Sequence, residues 1–232
     1  MVDEYAQVLM NNPSPTQILL STCGISKMSF QPEPSHASIA TYRNKDTSRS
    51  CGSCSMCCYL PSLEVSEWKE PKNQWCRHCS GHSCNIYPKR PDLCQDFECM
   101  WLMCNILGDH WYPKKSKIIV TSSQKDGETR LVCAVHEKYP LRWREEPYYS
   151  DIKSWAIRGL QADTWVTEVV VRDQLWIILP DKDVLITSKY FHIIRTGIHN
   201  WDVIQMDETE WRNLKSAELR KRMAEGKAHT AA

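Results

Sequence analysis

The chemistry of this chain is concentrated in its thiols. Nine of its 12 cysteines fall between Cys51 and Cys99: Cys51, Cys54, Cys57, Cys58, Cys76, Cys79, Cys84, Cys94 and Cys99, with Cys104 close behind. Thiolates are soft ligands that suit zinc and iron–sulfur clusters. Two residues between cysteines let a tight loop aim both sulfurs at one metal, and Cys51-Gly-Ser-Cys54-Ser-Met-Cys57-Cys58 uses that interval twice. Adjacent Cys57 and Cys58 tend to diverge, so they address different metals or different corners of one cluster. Cys76-Arg-His-Cys79, Cys84, Cys94 and Cys99 follow. Together they supply at least eight thiolates, enough for two four-ligand centres or one polynuclear centre. His78 and His82 are spare candidates for a nitrogen ligand.

Two blander readings compete, unrelated thiols and a disulfide network. Density argues against the first. The second is disfavoured because a chain of 232 residues does not need disulfide staples. Cys23 in a Pro-rich arm and Cys133 in an apolar run are expected to contact no metal. Cys104, in Trp101-Leu-Met-Cys104, reads first as core packing. The metal itself stays open. Cys-x2-Cys-x2-Cys suits three corners of a cubane with a distant fourth ligand, yet it lacks the Cys-Pro ending of bacterial ferredoxins. Cys51/Cys54 with Cys76/Cys79 also provides the paired arithmetic of zinc. Spacing alone barely separates the two.

The elements that must position these thiols divide the chain into four. Residues 1–48 form a partly ordered arm broken by Pro13, Pro15, Pro32 and Pro34. Residues 49–112 hold the cysteine-cluster metal-binding domain. From 113 to 206 the pattern is β-rich, and 207–232 reads as a C-terminal helix and tail. Lys117–Thr121 and Thr129–Val135 flank Lys125-Asp126-Gly127-Glu128, a hairpin signal. A helix fits 150–160, with Ser150 as cap and Ile152, Trp155, Ala156 and Ile157 as apolar face. Further strands fit Trp165–Val171 and Gln174–Leu179 around Arg172-Asp173, then Val184–Thr187. Asp207 and Glu210 have capping-box spacing. The expected architecture is α+β: a loop-rich cysteine unit packed on a small antiparallel sheet with one or two helices.

Composition narrows the function. With 29 Lys+Arg against 28 Asp+Glu the net charge is +1, and the formal charges within 51–104 sum to −1, so neither nucleic acid nor an anionic membrane is an expected partner. No apolar run reaches the ~20 residues of a membrane helix. Met1-Val2-Asp3-Glu4 lacks the basic start and apolar run of a signal peptide, so a reducing cytoplasmic setting is expected. No Gly-x-Gly loop, Gly-x-Ser-x-Gly, His-Glu-x-x-His or P-loop is present. The sequence therefore leaves open whether the protein is an enzyme, what a substrate would be and what its oligomeric state is. Ten tryptophans suit either core packing or a protein partner docked on the β-rich part.

The run Cys51-x-x-Cys54-x-x-Cys57-Cys58, Cys76, Cys84-Asn-Ile-Tyr87, Arg90-Pro91-x-x-Cys94-x-x-Phe97-x-Cys99-x-Trp101 resembles the YkgJ-type cysteine-cluster family, the zinc- or iron-chelating "CxxCxxCC" domain. The later Glu146-Pro147-Tyr148-Tyr149 through Trp155, and Ile178-Leu179-Pro180-Asp181, look like the C-terminal half of bacterial members. The resemblance implies eight metal ligands: Cys51, Cys54, Cys57, Cys58, Cys76, Cys84, Cys94 and Cys99. Cys79 is an addition where the family has an apolar residue, and is the marginal ligand. Gln95 stands where the family usually has Arg, which puts a second cation beside the cluster in doubt. The family is labelled with both metals, and one similar branch, a flagellin lysine methylase, is linked to an iron–sulfur centre, so the resemblance leans slightly to iron–sulfur over zinc. Arg90 could offset thiolate charge. Tyr87 and Trp101 read as wedges packing a small metal-stapled core, which should not stay folded without its metal.

Overall fold

The computed structural model describes residues 49–65, 68–104, 107–125 and 128–229, with side chains through Glu218. The arm at 1–48 and the Asp126-Gly127 turn lie outside the described residues. The fold is α+β. Strands β3 (Ile118–Lys125), β4 (Glu128–Val135), β5 (Val166–Val171), β6 (Gln174–Ile178) and β7 (Asp183–Ile186) form one sheet in that order. Two smaller antiparallel pairs stand beside it: β1 (Leu63–Glu64) with β2 (Lys69–Glu70), and β8 (Tyr190–Arg195) with β9 (Trp201–Met206).

The five-stranded sheet differs from the antiparallel expectation at one step. β4 and β5 run parallel, with Arg130 opposite Val166 and Val135 opposite Val171. A parallel step needs a long crossover. Here it is the segment carrying the longest central helix, Tyr148–Gln161, which is α4 after the short helices α1 (Asp92–Asp96), α2 (Met100–Met103) and α3 (Pro113–Ser116). Ile152, Trp155, Ala156 and Gly159 recur at helical spacing and are buried. The helix begins two residues before Ser150, directly after Pro147, so Ser150 is not its cap. Burial of Tyr148, at 4% exposed and edge-on to Trp111 at 5.0 Å, draws the first turn in.

Period-two alternation gives the sheet two working faces. Ile118 and Val120, Leu131, Cys133 and Val135, and Val169 and Val171 join α4, Met100, Trp111 and Trp143 in the main core. The opposite face is shared. At one end Ile119 and Ala134 meet Met56, Tyr59 and Leu60 from the cysteine unit. At the other end Val166 and Ile177 meet Phe191 and Trp201 of the β8–β9 hairpin. Between these patches the same face holds an ionic network, Arg130 to Glu128 and to Glu168, with Arg130–Glu168 at 3.1 Å. The hairpin lies in the β-rich part beyond the strands expected there, although Trp201-Asp-Val-Ile-Gln-Met alternates clearly. The last helix, α5 (Glu208–His229), starts in the expected capping box: Glu210 N–H donates to Asp207 Oδ1 at 2.8 Å and Asp207 N–H to Glu210 Oε2 at 3.0 Å. No helix among the described residues is long and apolar enough to cross a membrane.

Candidate metal centre

The cysteine unit has little regular structure, so turns do the positioning. In the first loop Cys54 N–H donates to Cys51 O at 2.9 Å, and Gly52 occupies the left-handed region at φ +50°, where an L side chain is strained. Tyr112 Oη donates to Cys51 O at 2.8 Å and Lys114 Nζ to Ser53 Oγ at 2.8 Å, tying this loop to the start of the β-rich part. The second loop repeats the turn: Cys79 N–H donates to Cys76 O, also at 2.9 Å. Cys79 and Cys84 then face each other as an isolated antiparallel bridge. Cys76 N–H reaches Cys58 O at 2.9 Å, and Ser55 Oγ donates to Gly81 O at 2.8 Å, so the two loops are stitched together. Cys94 sits inside α1, and Cys99 immediately precedes α2, its carbonyl accepting from Leu102 and Met103.

All nine cysteines from Cys51 to Cys99 are free thiols. Their mutual electrostatic influence sorts them into two overlapping sets. Burial raises the Cys51, Cys54 and Cys99 thiols, Cys99 to about 11. After burial, Cys51 responds to Cys57 and Cys54, Cys54 to Cys57, and Cys99 to Cys51, Cys54 and Cys57. Cys51, Cys54, Cys57 and Cys99 thus form the first set. In the second, Cys76 is raised by burial, with Cys84 and Cys79 among its neighbours. Cys94 is raised by burial and then by Cys76, Cys57 and Cys84. Cys58 links the sets: it shares hydrogen bonds with Cys57 and with Cys79. The Cys58 hydrogen bond holds the Cys57 thiol down at about 7 and pushes the Cys58 thiol up.

Two cations stand beside these sulfurs. Arg90 lowers the Cys51, Cys57 and Cys94 thiols while its guanidinium lies 4.1 Å from the Tyr87 ring centre. Lys114 lowers the Cys54 thiol, and nothing in the spacing of the cysteines pointed to it. Gln95 instead bonds back to Arg90 O at 2.8 Å. Tyr87 is not a wedge, being 58% exposed. Trp101 does pack, against the main core and against Tyr112 at 4.7 Å. His78 lies edge-on to Trp68 at 4.9 Å, and His82 is exposed. Cys133 is fully buried in the main core, where burial pushes its thiol up, and Cys104 is buried in the same cluster. Cys23 lies outside the described residues.

The donors suit a thiophilic metal: soft, free and flanked by cations. As the thiols stand, no three His, Cys, Asp or Glu side chains among the described residues are drawn together closely enough to hold one ion. Compared with protein-family models, with characterised proteins and with solved structures, the chain finds no match.

Proposed function

We propose that this is a cysteine-rich metal-binding protein whose thiolates hold an iron–sulfur cluster. The observation that carries the reading is that all nine cysteines from Cys51 to Cys99 are free thiols, with Arg90 and Lys114 acting on members of the group. Neighbouring thiolates repel one another, and a cation or a metal is what makes their gathering favourable. The division into two sets favours two four-ligand centres: Cys51, Cys54, Cys57 and Cys99 for one, and Cys58, Cys76, Cys84 and Cys94 for the other, with Cys79 as the marginal member. An iron–sulfur centre in such a site would supply one-electron exchange. Arg90 and Lys114 would then offset the negative charge of the ligated sulfurs. The resemblance to the YkgJ-type family supports the same eight ligands and rests on their spacing together with Ile86-Tyr87, Arg90-Pro91 and Phe97-x-Cys99-x-Trp101.

A second reading is a zinc-stapled interaction module without catalysis. It is favoured by the matched turns at Cys51–Cys54 and Cys76–Cys79, which are the paired arrangement zinc requires. In this reading the β-rich part meets a protein partner. For both readings the proposed setting is the cytoplasm, with neither nucleic acid nor membrane as partner.

Anaerobic purification, visible absorption, and metal and sulfide analysis separate the two. Coloured, air-sensitive protein with iron and sulfide supports the first reading; colourless protein with stoichiometric zinc supports the second. Protein that retains neither metal when purified without chelator refutes both. Chelation followed by limited proteolysis then tests the staple: cleavage within 51–104 is expected, with the β-rich part protected.

A further inference from the structure

Away from the thiols, a cavity of about 180 Å³ lies where the end of β3, β4, the start of β8 and the first turn of α5 meet. Its walls are Lys125, Arg130, Lys189, Tyr190, Phe191 and Trp211. Three are cations, three are aromatic, and none is acidic. The cations converge on the rings. Lys125 Nζ and the Arg130 guanidinium carbon lie 5.7 and 5.4 Å from the Phe191 ring centre, and Lys189 Nζ lies 5.5 Å from that of Tyr190. Bringing like charges onto neighbouring rings is unfavourable unless something negative sits between them.

The groups around the cavity supply only part of that charge. Glu128 and Glu168 engage Arg130 through its two terminal nitrogens and leave its Nε buried with no acceptor. The Arg130 side chain is 4% exposed, and a buried donor without an acceptor calls for an explanation. Lys125 acts on Glu168 from a distance, and neither Lys125 nor Lys189 forms a salt bridge among the described residues. Counting Glu128 and Glu168 against the three cations, the neighbourhood keeps one uncompensated positive charge.

We infer that this cavity binds a small planar organic anion, its carboxylate or phosphoryl group toward Lys125, Lys189 and Arg130 Nε and its flat part against Tyr190, Phe191 and Trp211. The size agrees, since a cavity of about 150 Å³ takes benzene. Stacking and charge then reinforce each other: the anion offsets the ammonium groups, and the rings contact the flat part.

The test follows the Trp211 indole N–H signal of the isotope-labelled full chain, assigned by its loss in Trp211→Phe. Benzoate and phenyl phosphate are titrated in parallel with neutral benzamide, their relative affinities separating carboxylate from phosphoryl preference. A saturable shift with at least one anion and none with benzamide is expected. In Lys125→Ala/Lys189→Ala, both sites being exposed, affinity should fall roughly tenfold, about 1.4 kcal/mol. The inference is overturned by equal binding of benzamide, by unchanged affinity in the double variant, or by no saturation up to about 10 mM of either anion.

Discussion

If the thiols divide as their electrostatics indicate, removing one sulfur from each set should have separable consequences. Cys99 and Cys84 are the informative positions. Cys99 feels Cys51, Cys54 and Cys57, whereas Cys84 acts on Cys76 and Cys94 and bridges to Cys79. Serine preserves size but replaces a soft thiolate with a hard hydroxyl. Four thiolates make one complete centre, so each single variant should retain about half the metal of the parent chain. Cys99→Ser/Cys84→Ser should retain almost none. The assay is metal per chain after anaerobic purification, with sulfide measured alongside. Should either single variant lose all its metal, the thiols serve one shared polynuclear centre and the two-set argument fails. Full metal content in both single variants would show that these sulfurs are not ligands at all.

Three further outcomes follow from particular contacts. Gly159→Ala in α4 would set a Cβ 2.4 Å from Trp165 O and 2.6 Å from its Nε1. The overpacking should destabilise by about 1–3 kcal/mol, outweighing alanine's gain in a helix of roughly 1 kcal/mol, and a denaturant midpoint at or above the parent's would refute this. Arg130→Ala strands Glu168, which is 7% exposed and whose carboxyl burial already raises, at a cost of about 3–5 kcal/mol. Because a raised carboxyl penalises the folded state above its pKa, the variant should regain stability as pH falls from that raised value toward the ordinary 4.5, read as urea midpoints at neutral and mildly acidic pH. In the metal-free chain Cys57 should alkylate first, with a half-point near pH 7. Cys58→Ala should move that half-point toward 9.0; an unchanged profile would mean that Cys58 does not hold the thiolate.

Local signals carried much of the fold. β-branched runs at Ile118-Ile119-Val120 and Val169-Val170-Val171, the Asp207–Glu210 box and the apolar stripe of α4 each specify an element through neighbours a few residues away. What escaped depends on distance along the chain. Nothing near Val132 or Val169 announces that β4 and β5 run parallel, because that follows from how the crossover packs. The β8–β9 hairpin has no local turn signal, since Thr196-Gly-Ile-His-Asn200 lacks a two-residue turn signature. In the candidate site the thiols were legible from spacing alone. Lys114 was not, since it approaches Cys54 only because Tyr112 and Lys114 fold back on the Cys51–Cys54 loop. Tyr87 is exposed for the same reason of distance: an aromatic between cysteines looks internal until the unit's outer surface is known.

The placement of the cysteine unit on β3 bears on what happens when the unit opens. β3 ends its sheet, and its first three residues are Ile118, Ile119 and Val120, of which Ile119 is covered by Met56, Tyr59 and Leu60. Beyond them the strand turns to Thr121-Ser-Ser-Gln-Lys125, a hydrophilic stretch ill-suited to pairing with another chain. The guarded half therefore relies on its neighbour and the open half on its own composition. A molecule whose cysteine unit has come apart uncovers Ile119 on the strand at the sheet's edge, a template for recruiting further copies. Its fate is self-association rather than simple loss of a ligand.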